Sequence, residues 1–307
     1  MRAFIFPGQG SQSVGMGKAL AGSSSIAREL FQEVDEALKQ NLSRLMAEGP
    51  SDELTLTENA QPAIMANALA TLRTVGIDPA GDASFVAGHS LGEYSALCAA
   101  GSFDVATTAR LLKLRGQAMQ RAVPVGQGAM AALLGASVEV AKEVADAAAE
   151  GEVCTVANDN DPSQVVISGH RGAIERALEI AKSKGAKRAV LLPVSAPFHS
   201  PLMEPAAREM EQALAEVSIA EPAVLLYANV TAAPVQDPAE IKRLLVCQVT
   251  GVVRWRESVA AMADAGVAHF IEFGGKVLGP MVKRIAPDVK VTSVVSMEDL
   301  DALLKEM

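Results

Sequence analysis

The most restrictive feature of the sequence is a short apolar run at residues 84–87, which leads into a glycine-rich turn at 88–92 and then into an alanine-rich stretch. The run predicts a strand, and the stretch predicts a helix that ends near Gly101. A second run at residues 2–6 is followed in the same way by a turn and by helical patterning over 26–40. Further helices are predicted at about 61–75 and 104–122, with Pro62 in a first turn and Asp104 as an N-cap. This alternation predicts an α/β fold with a parallel sheet covered by helices.

The middle of the chain has a different order of elements. Its patterns predict a strand, a helix, two strands, a helix and a strand, at residues 129–134, 138–149, 153–157, 164–168, 173–184 and 188–194. This βαββαβ order is typical of a ferredoxin-like unit. Turn-forming residues cluster at both of its ends, at 124–128 and 193–197. We therefore predict a compact insertion at residues 126–195 within a larger α/β domain made of residues 1–125 and 196–307.

Composition excludes several classes of protein. Of the 307 residues, 50% are hydrophobic and 21% are charged, which is typical of a globular chain. No apolar run approaches the roughly 20 residues that span a bilayer, and Pro7-Gly8 interrupts the apolar start too early for a signal peptide. Three cysteines without a CxxC spacing favour a reducing compartment and disfavour zinc. The net charge of −9 disfavours nucleic acid as a partner, so we expect a cytoplasmic protein.

The turn at 88–92 matches the pattern of a nucleophile elbow, Gly88-x-Ser90-x-Gly92. Small residues on both sides allow a sharp bend, and the bend would expose the Ser90 hydroxyl at the edge of the sheet. The helix that follows offers free N–H groups and a dipole that favour an anion at the same place. The pattern fits equally well a serine N-cap without any chemistry.

A serine nucleophile needs a base, and the chain has four histidines. His89 adjoins Ser90 and is expected to point elsewhere, His170 lies in a turn of the insertion, and His269 opens an apolar strand as a structural residue. His199 lies between Pro197 and Pro201, where the insertion rejoins the main domain, and the prolines restrict its loop. His199 is the best candidate base by elimination, although a surface loop histidine would look the same.

One arginine of the predicted helix 104–122 lies on the wrong face. At about 100° per residue, Arg115 falls among the apolar residues, and Arg110 and Lys113 lie on the opposite face. A buried guanidinium needs an anion. Either an internal carboxylate forms a salt bridge with it, or it binds a substrate carboxylate in a bidentate manner.

The turn after residues 2–6 is not a phosphate loop. Ser13 stands where GxGxxG requires its third glycine, and no GK[ST] follows. The turn should lie close to Ser90, because ligands of open α/β sheets collect at the carboxyl ends of the strands. The main-chain N–H of Gln9 could therefore form an oxyanion hole with that of Leu91.

Several motifs occur together in one order and spacing, namely Phe6-Pro7-Gly8-Gln9-Gly10-Ser11-Gln12, Gly88-His89-Ser90-Leu91-Gly92-Glu93-Tyr94, Leu112-x-x-Arg115-Gly116 and Pro197-Phe198-His199. With them, the chain from Phe4 to about Ile285 resembles the malonyl-CoA:acyl carrier protein transacylases, the malonyl-loading enzymes of dissociated fatty acid synthesis. The resemblance implies an α/β-hydrolase-like core with a ferredoxin-like insertion. It also implies transfer of malonyl from malonyl-CoA to holo acyl carrier protein by a ping-pong mechanism, without a cofactor.

The resemblance assigns roles to individual residues. Ser90 would carry the malonyl ester and His199 would be the general acid and base. Gln9 and Leu91 would supply the oxyanion-hole N–H groups, and Arg115 would hold the free malonyl carboxylate.

Two further positions follow from the same resemblance. The main-chain carbonyl of Gln248 would orient the histidine, in place of an aspartate. Asn160 matches a position near the site. The chain departs from the family at Gly274-Gly275-Lys276, where a Gly-Pro-Gly-Lys-like turn is one residue shorter. Phe198 is compatible with malonyl, but methylmalonyl remains an alternative.

The carrier protein is expected to be acidic, so docking needs a local basic surface. Two clusters offer one: the first consists of Lys182, Lys184, Lys187 and Arg188, and the second of Lys276, Lys283 and Arg284. Each cluster could equally be an ordinary solvated face. Two other classes of function stay open, a serine thioesterase or hydrolase with the same elbow and histidine, and a non-catalytic module that binds carrier protein.

Overall fold

Ten strands form two separate sheets in the computed structural model of the chain, which describes residues 1–306. In chain order they are β1 (Arg2–Phe6), β2 (Phe85–Gly88), β3 (Gly128–Leu134), β4 (Cys154–Asp161), β5 (Gln164–His170), β6 (Arg188–Leu191), β7 (Leu225–Ala228), β8 (Ala233–Val235), β9 (His269–Phe273) and β10 (Lys290–Val294).

Fifteen α-helices surround these sheets within residues 1–306. They are α1 (Lys18–Ser23), α2 (Ser25–Leu38), α3 (Leu42–Glu48), α4 (Ser51–Thr55), α5 (Thr57–Val75), α6 (Pro79–Asp82), α7 (Gly92–Ala99), α8 (Val105–Ala122), α9 (Val138–Ala149), α10 (Arg171–Ser183), α11 (Glu204–Glu216), α12 (Pro238–Thr250), α13 (Trp255–Asp264), α14 (Leu278–Ile285) and α15 (Met297–Glu306). No helix among residues 1–306 combines the length and the hydropathy needed to cross a membrane. The expected cytoplasmic location stays a prediction.

The first sheet has six strands in the order β10-β9-β1-β2-β7-β8, and all neighbours are parallel except β7 and β8. The prediction of a parallel sheet is confirmed. Residues 3–6 of the central strand β1 are apolar and buried, as expected for a strand with helices on both of its faces. On one face Phe4 and Phe6 pack against Phe273, with ring centroids 5.1 and 6.0 Å apart, and on the other Ala3 and Ile5 join a separate core.

The second sheet is antiparallel and has the strand order β4-β5-β3-β6. Its elements follow the chain order strand, helix, strand, strand, helix, strand, as predicted. Side chains alternate along β3: Ala131 and Leu133 pack with α9 and α10 in a core of their own, and Met130 and Ala132 face the core of the first sheet.

Several predicted bounds were wrong, for physical reasons. Strand β4 continues through four buried polar residues to Asp161, and the side chains of Asp159, Asn160 and Asp161 find partners inside the protein. Strand β6 ends at Leu191, two residues before Pro193, which has no N–H for a sheet bond. Helix α5 begins at Thr57, so Pro62 lies in its second turn instead of its first.

Candidate active site

The site lies where three neighbouring parallel strands end. Gln9 follows β1, Ser90 follows β2 and Asn229 follows β7, and these strands are adjacent in the first sheet. The carboxyl ends of parallel strands meet at one edge, which is where open α/β sheets bind their ligands. The fold therefore brings together three loops that are distant in sequence.

The elbow at Ser90 is a tight, left-handed turn. Ser90 has a φ of 55°, which is uncommon for any residue other than glycine. A Cβ atom at Gly88 would lie 1.9 Å from the main chain of Gly92, and one at Gly92 would lie 2.2 Å from the carbonyl oxygen of Phe6. The two glycines are therefore required by close packing of the backbone, and Ser90 stands at the start of α7.

Asn229 holds the elbow from the next strand. Its Oδ1 accepts a hydrogen bond from the Ser90 N–H at 2.8 Å, and its Nδ2 donates to the Gly88 carbonyl at 2.7 Å. The buried Asn229 side chain thus satisfies the main-chain groups that the bend removes from the sheet ladder.

Ser90 and His199 form a hydrogen-bonded pair. The Ser90 Oγ lies 2.7 Å from His199 Nε2, and His199 Nδ1 lies 2.9 Å from the carbonyl oxygen of Gln248. A carbonyl can only accept, so Nδ1 carries the proton and Nε2 is free to accept from the serine hydroxyl. The Gln248 carbonyl is available because it lies in the last turn of α12, where carbonyls have no partner within the helix.

The His199 ring is buried, and burial lowers its pKa from 6.5 to about 3. The positive charge of Arg115 contributes to this fall in pKa, and the bond to Gln248 opposes it. The imidazole is therefore neutral at pH 7 and can accept a proton from Ser90.

Arg115 is buried on α8, with 1% of its surface exposed, and its guanidinium points at the pair. Its Nη2 donates to Ser90 Oγ at 3.1 Å and to Gln248 Oε1 at 2.8 Å, and its Nη1 donates to Gln61 Oε1 at 2.8 Å. Within residues 1–306 no carboxylate lies within salt-bridge distance of it. The internal salt bridge, one of the two alternatives for this residue, is thus not formed.

The side chain of Gln248 connects Arg115 to a buried acid. Its Nε2 donates to the Ser90 carbonyl at 2.9 Å and to Glu93 Oε2 at 2.7 Å. Glu93 is fully buried on α7, and burial raises its pKa to about 7, although hydrogen bonds from Gln248 and Asn229 work in the opposite direction.

A cavity of about 290 Å³ opens beside Ser90. Gln9 and Leu91 lie on its wall with Arg115 and His199, while Met119, Met130, Leu192, Val194 and Phe198 provide an apolar lining. Leu91 precedes the first turn of α7, where main-chain N–H groups have no helical acceptor. Among residues 1–306 no cluster of three or more His, Cys, Asp or Glu side chains could hold a metal ion.

The other positions considered in the sequence are Asn160 and the three histidines that were not chosen as the base. Asn160 does not line the cavity, and its Oδ1 lies 2.8 Å from His89 Nε2. His89 belongs to the cavity wall, but its ring is engaged by Asn160 and by the Trp255 ring at 5.9 Å and not by Ser90, which agrees with the expectation that it points elsewhere. His170 accepts from the Val153 N–H, and His269 bonds Thr292 as a structural residue.

The shortened glycine turn at 274–275 is held by the Glu272 carboxylate. This buried group accepts from the N–H groups of Val277, Leu278 and Gly279, each at 2.9 Å. The turn is not part of the cavity wall.

Sequence reasoning gave no role to three residues of the site, Gln61, Glu93 and Asn229. Two of them carry a recognisable signal. Glu93 is the one charged residue in the apolar helix α7, and Gln61 is a polar residue in a helix that is buried over most of its length. Asn229 carries no such signal, since an asparagine after a strand is common in turns.

Comparison with known proteins places this geometry in a family. The acyl transferase domain family matches residues 3–275. The malonyl CoA-acyl carrier protein transacylase of Bacillus subtilis (strain 168) is 44% identical over 310 residues, covering 99% of this chain and 96% of the relative. That of Escherichia coli (strain K12) is 43% identical over 293 residues, covering 95% of each chain.

Solved structures agree with these sequence relatives. The acyl-carrier-protein-S-malonyltransferase of Bartonella henselae has a TM-score of 0.97 at 52% identity and covers 99% of this chain and 98% of its own. A malonyl-transacylase in complex with its type II PKS acyl-carrier protein has a TM-score of 0.97 at 37% identity and covers 100% of this chain and 99% of its own. The chain therefore belongs to the acyl transferase family of the malonyl CoA-acyl carrier protein transacylases.

Proposed function

We propose that this enzyme transfers malonyl from malonyl-CoA to the pantetheine thiol of holo acyl carrier protein through an ester on Ser90. The observation that carries this proposal is the convergence on one hydroxyl: Ser90 Oγ lies 2.7 Å from a neutral imidazole and 3.1 Å from a buried guanidinium. Such a site suits an acyl group with a second, negatively charged end. The names of the relatives above support the same substrate and acceptor.

The first half-reaction forms the ester. The Ser90 oxygen attacks the thioester carbonyl carbon as its proton passes to His199 Nε2. The carbon–sulfur bond then breaks, and the CoA thiolate takes the proton from the imidazolium. The Gln248 carbonyl, at the C-terminus of a helix, favours the transient positive charge on His199.

The oxyanion of the tetrahedral intermediate would be held by main-chain N–H groups. Leu91 stands at the N-terminus of α7, next to Ser90, and Gln9 faces it from the loop after β1. Their positions on the same cavity wall support the proposed roles, because donors fixed in advance stabilise charge as it develops.

Arg115 would bind the free carboxylate of the malonyl group. All three of its hydrogen-bond partners, Gln61, Gln248 and Ser90, are neutral, so a substrate carboxylate would be the first anion to bond the guanidinium directly. Acetyl cannot provide that charge. The malonyl preference would therefore come from the high cost of leaving a buried guanidinium without an anion.

The second half-reaction reverses the first with a different thiol. The pantetheine sulfur attacks the malonyl ester, its proton passes to His199, and the Ser90 oxygen leaves with that proton. No cofactor takes part in either half, since the CoA thioester is itself the acyl donor. Water must stay out of the cavity, and its apolar lining supports this requirement.

The carrier protein would dock on the first basic cluster, Lys182, Lys184, Lys187 and Arg188. All four side chains are exposed, and the chain runs from Arg188 along β6 to Leu192 at the cavity wall. The second cluster is largely engaged within the protein: Arg284 pairs with Asp161, Lys276 with Asp299, and Lys283 bonds main-chain carbonyls.

The chain would divide into an α/β-hydrolase-like domain of residues 1–125 and 196–307 and a ferredoxin-like insertion of residues 126–195. The strand–turn–helix elbow at the end of a parallel strand supports the first assignment. The antiparallel order β4-β5-β3-β6 with both helices packed on one face supports the second.

A panel of acyl-CoA donors assayed with holo acyl carrier protein tests the proposed function. Malonyl-CoA should be the preferred donor, with acetyl-CoA and methylmalonyl-CoA slower. Preference for another donor, or release of free acid without transfer to the carrier thiol, would show that the enzyme has a different substrate or is a thioesterase.

A further inference from the structure

Glu93 is a buried acid that the proposed reaction does not use. It lies on α7, three residues after Ser90, and only 1% of its surface is exposed. A carboxyl group is seldom buried in this way unless its oxygens have specific partners. Its Oε2 has two, the side-chain Nε2 of Gln248 at 2.7 Å and the main-chain N–H of Asn229 at 3.2 Å.

Each of these two partners also contacts a part of the active site. Gln248 presents its main-chain carbonyl to His199 and its Oε1 to Arg115. Asn229 binds the N–H of Ser90 and the carbonyl of Gly88. Glu93 Oε2 therefore connects Gln248, which orients the imidazole and the guanidinium, to Asn229, which holds the elbow.

Two acceptors set the direction of the Gln248 amide, because its Nε2 donates to Glu93 Oε2 at 2.7 Å and to the Ser90 carbonyl at 2.9 Å. An amide has one oxygen and one NH₂, and the two ends make different bonds. An acceptor at Glu93 draws the NH₂ to one side, which leaves Oε1 facing Arg115. Without the acceptor at Glu93, Nε2 keeps the Ser90 carbonyl as its close partner but loses the shorter of its two bonds, so the amide and the backbone of Gln248 are held less firmly.

From these contacts we propose that Glu93 is a positioning residue of the transacylase, which acts through the acceptor oxygen that it offers to Gln248 and Asn229. The role depends on the reach of the side chain and not on its charge. The proposal rests on the proposed function where it is tested by the kinetics of malonyl transfer. A proton NMR measurement on the free enzyme tests it without substrate.

Two conservative variants separate reach from charge. Glu93→Gln keeps the length of the side chain and one oxygen acceptor but removes the charge. Glu93→Asp keeps the charge but is one methylene shorter, so its oxygen falls away from both partners. Ser95→Ala is a matched control, because Ser95 is equally buried on α7 and its Oγ has no hydrogen-bond partner within residues 1–306.

The first readout is the steady-state transfer of malonyl and acetyl groups. Glu93→Asp should lower kcat for malonyl about tenfold and also lower the malonyl-to-acetyl ratio, because unpaired buried donors misplace both Ser90 and Arg115. Glu93→Gln should stay within about threefold of the wild type on both measures, and Ser95→Ala should match the wild type. Loss in Glu93→Gln alone would overturn the proposal in favour of a role for the charge. Equal loss in both Glu93 variants would also overturn it, because reach without charge would then not be sufficient. Unchanged kinetics in Glu93→Asp would also overturn it.

The second readout is the proton NMR signal of His199 Nδ1–H in the free enzyme. Glu93→Asp should shift this signal, since the Gln248 carbonyl moves, and Glu93→Gln should leave it in place. An unmoved signal in Glu93→Asp would contradict the positioning role, whether or not the enzyme accepts malonyl. Absence of a malonyl group on Ser90 of the wild type would contradict the proposed function but not the role of Glu93.

Discussion

Arg115 shows how one buried side chain can set the selectivity of a site. It contacts the proposed nucleophile directly, and its other partners are neutral amide oxygens. A carboxylate on the acyl group would therefore complete the ion pair that the protein itself leaves open.

Replacing Arg115 by alanine should lower the ratio of malonyl to acetyl transfer by about 10- to 100-fold, because charge-assisted hydrogen bonds to the malonyl carboxylate are lost. Initial rates with both CoA thioesters measure the ratio. Arg110→Ala is the control, since Arg110 lies exposed on the same helix. A ratio that stays constant in Arg115→Ala would show that this residue does not bind the carboxylate.

The buried imidazole of His199 makes a prediction about pH. Burial and the nearby Arg115 charge hold its pKa at about 3, against 6.5 in the unfolded chain. Between these values the unfolded state binds a proton that the folded state does not, so stability falls as the pH drops below 6.5. The slope is about 1.4 kcal/mol per pH unit.

Urea unfolding at several pH values between 7.5 and 5 measures this effect. His199→Gln has no ring to protonate, so its unfolding free energy should depend less on pH than that of the wild type, by about one proton below pH 6. If the two proteins show parallel pH dependence, the His199 pKa is not depressed in the folded state.

At the scale of single residues, periodicity in the sequence was enough to place Arg115 on the buried face of α8, and the structure buries it there. The turn-forming glycines likewise indicated a bend at Ser90. Gln61, Glu93 and Asn229 could not be assigned in this way, because their contacts join positions that are 54 to 155 residues apart. Such contacts depend on the packing of α5, α7 and β7 and leave no local pattern.

At the scale of elements, the second sheet is tied to the rest of the protein by buried carboxylates on β4. Asp159 pairs with Arg256 on α13 at 2.8 Å, and Asp161 pairs with Arg284 on α14 at 2.8 Å. Both acids are fully buried. Burial raises the pKa of Asp159, and the bond to Arg256 counteracts that rise.

Removing the partner of Asp159 should therefore destabilise the protein. Arg256→Met leaves the carboxyl group buried without its ion pair and should lower the free energy of unfolding by about 2 kcal/mol, as judged by chemical denaturation. The control is Arg243→Met, since Arg243 pairs with Glu240 on the exposed side of α12, where solvent screens the ion pair and its loss should have little effect on stability. Equal effects in the two variants would mean that the buried Asp159 pair stabilises the protein no more than an exposed pair does.

The C-terminal end of β4 could not be predicted from local sequence. The predicted strand ends at residue 157, before the sequence Asn-Asp-Asn-Asp at 158–161, whose residue types favour turns. In the folded chain, all four are buried and bonded or packed against the site, so tertiary contacts override local preference. By contrast, the alternating pattern of β3 and the helical period of α9 depend only on local burial, and both were predicted within one residue.

At the scale of the whole molecule, the net charge of −9 requires that an acidic partner meets a local basic surface. The exposed cluster around Lys187 and Arg188 lies on the strand that leads to the cavity wall. Charge reversal at both positions should raise KM for holo acyl carrier protein severalfold and leave the kinetics with malonyl-CoA unchanged.

The matched control is reversal of Lys276 and Lys283, in the second basic cluster. Steady-state rates at varied carrier protein concentration, at low and moderate salt, measure the difference. A larger increase in KM for the control pair would move the docking surface to the second cluster.

The central claim is that Ser90 carries the malonyl group between two thiols. Intact-protein and peptide mass spectrometry after mixing the enzyme with malonyl-CoA tests it most directly. We expect one malonyl group on the peptide that contains Ser90, its absence in Ser90→Ala, and its transfer to the carrier thiol when holo acyl carrier protein is added. A malonyl group on another residue, or rapid release of free malonate in place of transfer, would contradict it.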